Sequence, residues 1–372
     1  MASGSRNGSI IVHSTSSNNV EYRADNVTKT FANGVYGLCY LRNGSLVACG
    51  YNMFGGANLK VFSPSLELVQ TLVGHNGDVW CVTVSPSGSH FASGGYDKVM
   101  IWSEPGEGDE WASVQVLEDR TSWIYAVCFS PDGKQLATGS RDELINLYSF
   151  NEGNAILAHT LEGHTSYVLS LSFSPDCKFL CSGSGSQDNS IKFWNPADGS
   201  LVKSIDQAHT SFVKSVSYSP NGRILVSSGS DSTKIWDAET FELKHTFEQE
   251  FYTNQLTITA DSNFIVSGNT DHTVRITPCR EFTFVPSCLT PILNLILHIV
   301  YKWEFVSFLE PNENTSTLEK VMRVLGECVH NGGYNVTSEI LSFLSPAHLP
   351  VQITPTRWKL TQQLDENEKK AI

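Results

Sequence analysis

Histidine, cysteine and serine are the side chains of this sequence that could act as metal ligands, general bases or nucleophiles. The nine cysteines include no Cys-x-x-Cys pair and therefore lack the spacing of a zinc site. His13, His90, His272 and His348 have no partner at ligand spacing. No phosphate-binding loop is present, because the glycine pairs belong to turns. The sequence thus predicts neither a metal nor another cofactor.

The charge balance and the cysteines limit the partners and the compartment. A formal net charge of −13 in 372 residues argues against a nucleic-acid partner, since such surfaces need clustered Lys and Arg. The first ten residues lack the apolar core of a signal peptide. Cys39, Cys81, Cys128 and Cys181 lie in apolar, strand-like runs, where a buried thiol acts as a small hydrophobe. We therefore expect a reducing compartment, the cytoplasm or the nucleus.

The elements that position these side chains repeat along the chain. A segment running from Val79 to Trp102 recurs at 124–148, 168–194 and 213–236. Its Ser-Pro prolines stand at positions 86, 131, 175 and 220, which gives a period of 44 to 45 residues. Weaker copies precede and follow these four, around Leu41 and at 256–276. Six related units therefore cover residues 34 to 276, and such a period is typical of repeat folds.

Each unit predicts a small antiparallel sheet. Apolar residues alternate at the period of two that a strand imposes, and a turn of the Ser-Pro-Asp-Gly type then interrupts the alternation. A second strand ends in small residues, a third ends at a tryptophan or its equivalent, and the variable stretch before the next unit supplies a fourth. One such sheet cannot bury both faces alone, whereas radially stacked copies can. The sequence therefore predicts an all-β propeller.

The motifs resemble those of the WD40 repeat family, in which Gly-His opens a unit, Asp stands in the second turn and Trp-Asp closes it. The slots are filled by Gly74-His75, Gly163-His164 and Ala208-His209, then by Asp97, Asp142, Asp188, Asp231 and Asp271, and finally by Trp102, Trp194 and Trp236. One unit departs from the pattern, with Asp119-Arg120 in the first slot and Tyr148 in the third, and the last unit has Ile276 for Trp. We expect such units to be less firmly braced.

The resemblance also implies a buried hydrogen-bonded chain of His, Ser, Asp and Trp in each complete unit. Three such tetrads carry over: His75, Ser93, Asp97 and Trp102; His164, Ser182, Asp188 and Trp194; and His209, Ser228, Asp231 and Trp236. Their residue types are those of a Ser-His-Asp catalytic group. An enzyme needs one site, however, whereas a fold needs the same brace in each blade, so the recurrence indicates a structural role. We expect no catalytic residue.

The first residues of the chain leave the number of blades open between seven and six. Residues 9–31 resemble a degraded second, third and fourth strand, with SIIVHS, NVEYRA and VTKTF in those roles. They would form a seventh blade if EFTFV, at 281–285, supplied its innermost strand. We favour seven blades, with a six-bladed ring as the alternative, and we place the propeller at residues 1–286.

Residues 287–372 are expected to form a partly helical C-terminal extension with a polar, frayed end. A capping box at 316–319 precedes apolar residues at helical spacing, and a second short helix is predicted at 338–344. The stretch 282–301 carries no formal charge, which raises the alternative of a membrane anchor. Its two prolines and its short continuous apolar part favour a segment packed on the propeller instead.

In this family the loop that opens each unit and the turn that carries the Asp lie on one side of the ring, around the central channel. By register, the residues just before the first inward side chain are Asn33, Asp78, Trp123, Tyr167, Phe212 and Tyr252, and those just after it are Val35, Trp80, Tyr125, Leu169, Lys214 and Asn254. Six of the twelve are aromatic, against 10% of the chain, which suits the core of an interface. Tyr96 and Arg141 would border this surface, where Arg141 could orient a carboxylate. Packing between blades is the alternative role for Trp80 and Trp123.

The leading hypothesis is a non-enzymatic scaffold or adaptor in a larger complex. Its propeller face would bind a protein or peptide through Trp80, Trp123, Tyr125, Tyr167, Phe212, Tyr252, Tyr96 and Arg141. A membrane-associated adaptor held through residues 282–301 is a second hypothesis, and a propeller enzyme is a third. The fold alone does not name the partner, because one propeller architecture serves many roles.

Overall fold

The structure, a computed structural model, describes residues 2–5, 8–16, 19–29, 31, 34–51, 58–96, 98–104, 110–118, 122–248, 252–271 and 273–279, with the backbone alone at 13–16 and 19–29. This part of the chain consists of strands and turns, and no helix occurs within it. The chain divides into two compact units, Met1–Thr283 and Phe284–Ile372. The second unit, the predicted helices and the apolar stretch 282–301 lie outside the described residues.

The strands form seven antiparallel sheets in chain order, numbered here as sheets 1 to 7. Sheet 1 contains β1 (Ala2–Gly4), β2 (Ser9–Ser16) and β3 (Asn19–Lys29); sheet 2, β4 (Val35–Tyr40), β5 (Leu46–Gly50), β6 (Leu59–Phe62) and β7 (Leu68–Leu72); sheet 3, β8 (Val79–Val84), β9 (His90–Gly95), β10 (Val99–Ser103) and β11 (Ala112–Leu117); sheet 4, β12 (Ile124–Phe129), β13 (Gln135–Ser140), β14 (Ile145–Asn151) and β15 (Asn154–Leu161); sheet 5, β16 (Val168–Phe173), β17 (Leu180–Ser184), β18 (Ile191–Trp194) and β19 (Leu201–Ile205); sheet 6, β20 (Val213–Tyr218), β21 (Ile224–Gly229), β22 (Ser232–Asp237) and β23 (Leu243–Glu248); and sheet 7, β24 (Thr253–Ile258), β25 (Phe264–Asn269) and β26 (Val274–Pro278).

These sheets confirm the predicted all-β propeller. Six of them correspond to the six repeat units, and sheet 1 is an additional three-stranded sheet formed by the N-terminal stretch. Sheets 2 to 6 have the four strands that each unit predicts, whereas the described residues of sheets 1 and 7 form three strands each.

Sheet 1 corrects the prediction for the chain start. Its innermost described strand is β1, which pairs with Ile10–Val12 of β2. Residues 281–285, which were expected in that position, lie outside the described residues. The predicted third and fourth strands are one strand, because β2 is long enough to pair with both: Ser9 lies opposite Lys29 and Ser16 opposite Asn19. The strands of sheet 1 therefore follow one another in chain order from the innermost strand outward, as in the other sheets.

The first strands of successive sheets lie side by side, from β1 beside β4 through β20 beside β24. Backbone groups of β20 bond to side chains of β16: Val216 N donates to Ser170 Oγ at 3.0 Å, and Tyr218 N donates to Ser172 Oγ at 3.1 Å. Both contacts advance in the same direction, so these two strands run parallel, and the repeat extends this to the other first strands. The first strands therefore begin at one rim of the ring, called here the entry rim.

The hydrophobic core lies between neighbouring sheets. Val61 and Leu72 of sheet 2 pack in one cluster with Phe91 and Trp102 of sheet 3, and the other clusters likewise combine two neighbours. Glycine in the second strand permits a close approach, since a Cβ on Gly139 would lie 2.6 Å from Val168 Cγ1. Each sheet thus buries its apolar faces against the next, which is why one unit is insufficient alone.

The turns between first and second strands lie at the rim opposite the entry rim. In sheet 4 the Ser130 hydroxyl donates to Asp132 Oδ1 at 2.6 Å, and Gly133 takes the left-handed conformation with φ of 70°. Sheet 5 has Cys177 at the same place, with φ of 59°. The Ser-Pro-Asp-Gly pattern therefore forms the turn that the sequence predicts, and one copy places a non-glycine residue where glycine is favoured.

Candidate functional site

The first candidate site is the group of His, Ser, Asp and Trp side chains in sheet 5. His164 Nδ1 lies 2.6 Å from Asp188 Oδ2, and its Nε2 lies 2.7 Å from Ser182 Oγ. Trp194 Nε1 donates to the same Ser182 Oγ at 2.8 Å. All four predicted members are therefore brought together in one hydrogen-bonded chain.

The direction of the hydrogen bonds follows from the partners. Asp188 is a carboxylate and only accepts, so His164 Nδ1 carries the proton and Nε2 accepts from the Ser182 hydroxyl. Burial lowers the pKa of His164, and this effect outweighs the opposing hydrogen bond and charge of Asp188. Burial would raise the pKa of Asp188, but hydrogen bonds from His164 and Ser190 lower it. The group is therefore a neutral imidazole beside a carboxylate, with each donor paired.

Sheet 6 contains the same chain but with a different serine from the predicted one. His209 Nδ1 lies 2.7 Å from Asp231 Oδ1, as predicted, whereas its Nε2 lies 2.8 Å from Ser227 Oγ. Trp236 Nε1 also donates to Ser227 Oγ, at 2.8 Å. Ser228 is thus not a member, and its buried hydroxyl has no partner among the described residues.

The error at Ser228 is a shift of one residue along a strand, which turns a side chain to the other face. Leu225-Val226-Ser227 corresponds to Leu180-Cys181-Ser182, so Ser228 takes the place of Gly183, which faces the next sheet. The spacing in the sequence distinguishes the two serines. The bonded His and Ser are 18 residues apart in sheets 3, 5 and 6, whereas His209 and Ser228 are 19 residues apart. The repeated spacing identifies Ser227.

Sheets 3 and 4 show two further arrangements. In sheet 3, His75 Nε2 lies 2.8 Å from Ser93 Oγ, and Trp102 Nε1 donates to that oxygen at 2.9 Å, while Asp97 lies outside the described residues. Sheet 4 uses a different pair, in which Asn146 Nδ2 donates to the Tyr148 hydroxyl at 3.1 Å. The departures noted in the sequence therefore correspond to a different hydrogen-bond pattern.

The tetrads contain the residue types of a hydrolase triad, but their serine hydroxyls are not accessible to a substrate. Ser182 and Ser227 are fully buried, and each hydroxyl already accepts from an indole. A nucleophile must reach a substrate carbon, so these serines are suited to bracing the sheets instead. Within the described part of the chain, no group of three or more His, Cys, Asp and Glu side chains could hold a metal ion.

The second candidate site is a set of aromatic side chains at the entry rim. In each of sheets 2 to 7 the pairing of the first and second strands shifts at the second residue of the first strand, which makes that residue a β-bulge. A bulge redirects its side chain away from the regular pleat. The six bulge residues are Tyr36, Trp80, Tyr125, Leu169, Lys214 and Asn254.

Six aromatic side chains at this rim form a continuous series, called here the aromatic arc: Tyr36, Trp80, Tyr96, Trp123, Tyr125 and Tyr167. Tyr36 stacks on Trp80 with ring centroids 4.7 Å apart, and Trp80 stacks on Trp123 at 6.1 Å. Tyr125 lies 6.0 Å from Tyr167. Tyr96 is 52% exposed and Tyr167 is 40% exposed, while the other four are half-buried. The arc therefore runs across sheets 2 to 5 and remains accessible to solvent.

Sequence reasoning missed Tyr36. It assigned Asn33 and Val35 to the positions beside the first inward residue of sheet 2, but Val35 pairs with Gly50 as Val79 pairs with Gly95. Val35 is thus the inward residue itself, and Tyr36 is the bulge; Asn33 lies outside the described residues. Alignment of VYGLCY with VWCVTV would have revealed this register.

Arg141 lies against the arc. Its guanidinium carbon is 4.5 Å from the centroid of Trp123 and 5.5 Å from that of Tyr167. The hydrogen bond with Tyr167 raises the pKa of this exposed guanidinium. Burial raises the pKa of the Tyr125 hydroxyl, with a smaller opposing effect of Arg141. The predicted neighbours Tyr96 and Arg141 are therefore both part of this surface.

The remaining predicted aromatic residues stand apart. Phe212 is half-buried and Tyr252 is 53% exposed, and within the described residues no ring contact joins either of them to the arc. The bulge residues of the same region are Leu169, Lys214 and Asn254. The predicted ring of aromatics is therefore an arc on one side of the channel.

Comparison with known proteins gives the same repeat. The model of the family "WD domain, G-beta repeat" matches residues 66–103, 111–149, 156–195 and 199–237. Each match begins within or just before the outermost strand of one sheet and ends within or just after the third strand of the next, so every repeat links two blades.

Several curated proteins are similar to parts of the chain. The "Protein transport protein sec13" of Aspergillus fumigatus is 28% identical over 244 residues, which cover 59% of this chain and 69% of that protein. The "Small ribosomal subunit protein RACK1" of Glycine max is 41% identical over 78 residues, 21% of this chain and 23% of that protein. The "Probable cytosolic iron-sulfur protein assembly protein 1" of Sclerotinia sclerotiorum is 42% identical over 87 residues, 22% and 19% respectively. The chain thus spans about a fifth of the length of the last two.

Among the described residues there is no helix with the length and hydrophobicity of a membrane span.

One common period appears in the family match, in the interval of the sheets and in the recurring His-Ser-Asp-Trp braces. Because these three features coincide along the same residues, the matched segments between residues 66 and 237 are repeats of the WD40 type.

Proposed function

We propose that the protein is a non-enzymatic scaffold that binds a protein partner on the aromatic arc. The continuous ring contacts from Tyr36 to Tyr167 carry the proposal. Tyr and Trp bury a large area with few rotatable bonds, so they are enriched where interfaces hold most of their binding energy. A run of six such side chains, accessible to solvent and not enclosed in a core, suits that use.

The braces support a role without chemistry. Their serines are buried and bonded on both sides, so the Ser, His and Asp side chains of sheets 5 and 6 are engaged in holding strands together. A rigid ring loses little conformational entropy when a partner binds, because its surface is already ordered.

The relatives support membership in a larger assembly. By their names, one of these relatives belongs to the small ribosomal subunit, one to protein transport and one to cytosolic iron-sulfur protein assembly. By analogy, this chain would act as a subunit of a multiprotein complex in the cytoplasm or the nucleus.

Two double variants of the full-length protein test the position of the binding face. The arc variant is Tyr96→Ala with Tyr167→Ala, both exposed residues. The matched control is Phe212→Ala with Tyr252→Ala, which removes two aromatic rings from the same rim outside the arc. Affinity purification with quantitative mass spectrometry is expected to show partners lost from the arc variant and retained by the control, with both variants folded by circular dichroism.

Partners retained by the arc variant and lost from the control would place the binding face on the other side of the channel. Equal retention by both would remove the entry rim as the site.

A further inference from the structure

Arg141 presents its guanidinium to solvent in a fixed orientation. The rings of Trp123 and Tyr167 lie at 4.5 and 5.5 Å from its guanidinium carbon, and its backbone N–H donates to Trp123 O at 2.8 Å. Contacts of this kind hold a long side chain that would otherwise sample many rotamers. One donor of the planar group is engaged by the hydrogen bond with Tyr167, and the donors that remain at its edge match a carboxylate.

The charge of Arg141 is not neutralised by its neighbours. Among the described residues Arg141 makes no ion pair, although the next residue is an aspartate. The Asp142 carboxylate accepts instead from the Ser140 hydroxyl and from Leu144 N, at 3.2 Å for the latter. The turn thus uses the Asp142 carboxylate for its own hydrogen bonds and leaves the Arg141 guanidinium exposed.

A second cation lies at the same rim. Lys214 is the bulge residue of sheet 6, in the position that Tyr125 occupies in sheet 4, and it is exposed. Neither Arg141 nor Lys214 forms an ion pair among the described residues, so two positive charges at one rim favour an anionic ligand there. The overall negative charge does not oppose this at short range, because physiological salt screens charges beyond about 8 Å.

From these contacts we propose that the partner segment bound on the aromatic arc is an acidic peptide, with an Asp or Glu carboxylate paired to Arg141 and an apolar or aromatic side chain on the neighbouring rings. This inference rests on the proposed function and adds the chemistry of the partner. A basic segment would place its charge against Arg141, and a purely apolar one would leave the edge of the guanidinium without an acceptor.

The test is selection from a random 16-residue peptide display library on the immobilised full-length protein. Selected peptides are synthesised with a fluorescent label and their dissociation constants measured by anisotropy. We expect Asp and Glu to be enriched beside apolar residues. Arg141→Gln is expected to weaken binding by about 10- to 100-fold, since charge-assisted bidentate pairs are the strong class. Amide versions of the peptides, with Asn or Gln for the acid, should lose the same factor on the unmodified protein.

The control is Lys203→Gln, which removes one exposed positive charge from the outermost strand of sheet 5 and is expected to change binding by less than about twofold. Peptides that need Tyr96 and Tyr167 but bind equally to the Arg141→Gln protein, or that carry no excess of acid, would overturn the acidic-peptide inference and leave the proposed function intact. Selection that yields no peptide dependent on the arc would overturn both.

Discussion

Two regions of the ring solve the same packing problem with different side chains. In the braced half, sheets 5 and 6, both tetrads are complete, and Ser170 and Ser172 of β16 accept from backbone N–H groups of β20. In the aromatic half, sheets 2 to 4, the position of Ser170 is taken by Gly37, Cys81 and Ala126. At the entry rim the bulge residues of the braced half are Leu169 and Lys214, whereas those of the aromatic half are Tyr36, Trp80 and Tyr125, which belong to the arc. The arc ends at Tyr167, beside the first strand of sheet 5.

The two halves differ in the side chains that hold neighbouring sheets together. Polar networks that are fully paired give sheets 5 and 6 a unique, well-ordered packing. Sheets 2 to 4 use apolar contacts and thiols between their first strands, and burial raises the pKa of the Cys39 thiol to about 12, so it remains a neutral packing group. Among the described residues, sheet 3 shares the bonds of Ser93 to His75 and Trp102 with the braced half, while sheet 4 uses Asn146 and Tyr148 instead.

The largest effect is expected from adjacent serines in the braced half. Ser227→Ala removes the group that accepts from Trp236 Nε1 and donates to His209 Nε2, and two buried polar atoms without partners cost about 2–5 kcal/mol. Ser228→Ala removes a hydroxyl that has no partner among the described residues and should change the free energy of unfolding by less than about 1 kcal/mol. Urea unfolding of both variants measures the difference. A larger loss in Ser228→Ala would restore the tetrad that the sequence suggested.

The next effect is a dependence of stability on pH that originates in the braced half. Burial lowers the pKa of His164 and of His209 in the folded protein, against the opposing effects of Asp188 and Asp231. Near pH 6.5 the unfolded chain therefore takes up protons that the folded chain does not. The contribution is complete above that pH and decreases as the pH falls, by up to about 1.4 kcal/mol per pH unit for each histidine.

Urea unfolding between pH 7.5 and 5 checks this dependence, because the buried carboxylates remain ionised over that range: hydrogen bonds lower the pKa of Asp188 and of Asp231 although burial alone would raise it. The double variant His164→Gln with His209→Gln is expected to be less stable at pH 7.5 and to show a flatter profile. A stability that is constant or rises on acidification would assign the histidines no such role.

The smallest effect compares one turn in the two halves. Gly133 of sheet 4 and Cys177 of sheet 5 both have a left-handed backbone, with φ of 70° and 59°. Cys177→Gly is expected to raise the free energy of unfolding by about 0.5–1 kcal/mol, and Gly133→Ala to lower it by about 1 kcal/mol. A Cβ at Gly133 would meet Pro86 Cδ at 3.6 Å, an ordinary contact, so the backbone alone decides the cost. Thermal unfolding of the pair should give shifts of opposite sign, and shifts of the same sign would contradict the assignment.

Most of the fold could be predicted from the sequence because each repeat contains its own turn residues and its own alternation of apolar and polar side chains. The Ser-Pro-Asp-Gly turns, the second strands and the closing tryptophans all fall where the structure has them. The errors lie where a pattern permits two registers one residue apart. Ser227 and Ser228 have the same side chain, so residue type alone does not separate them. At the start of β4, the sequence prediction placed the inward residue one position before Val35, and Tyr36 was therefore not assigned to the rim.

What the sequence determined by itself was the period, the antiparallel sheets and the residue types of the braces and the arc, since these depend on local turn chemistry and alternation. The tertiary structure decided which aromatic side chains meet. Tyr36, Trp80, Trp123 and Tyr167 belong to four successive blades. Tyr36 stacks on Trp80, Trp80 stacks on Trp123, and Tyr125 connects Trp123 to Tyr167, because bulges and turns of successive blades are brought to one rim. Contacts between residues about 44 positions apart depend on the radial stacking of blades, which no single repeat contains. The aromatic arc, and with it the candidate binding face, is therefore a property of the assembled ring.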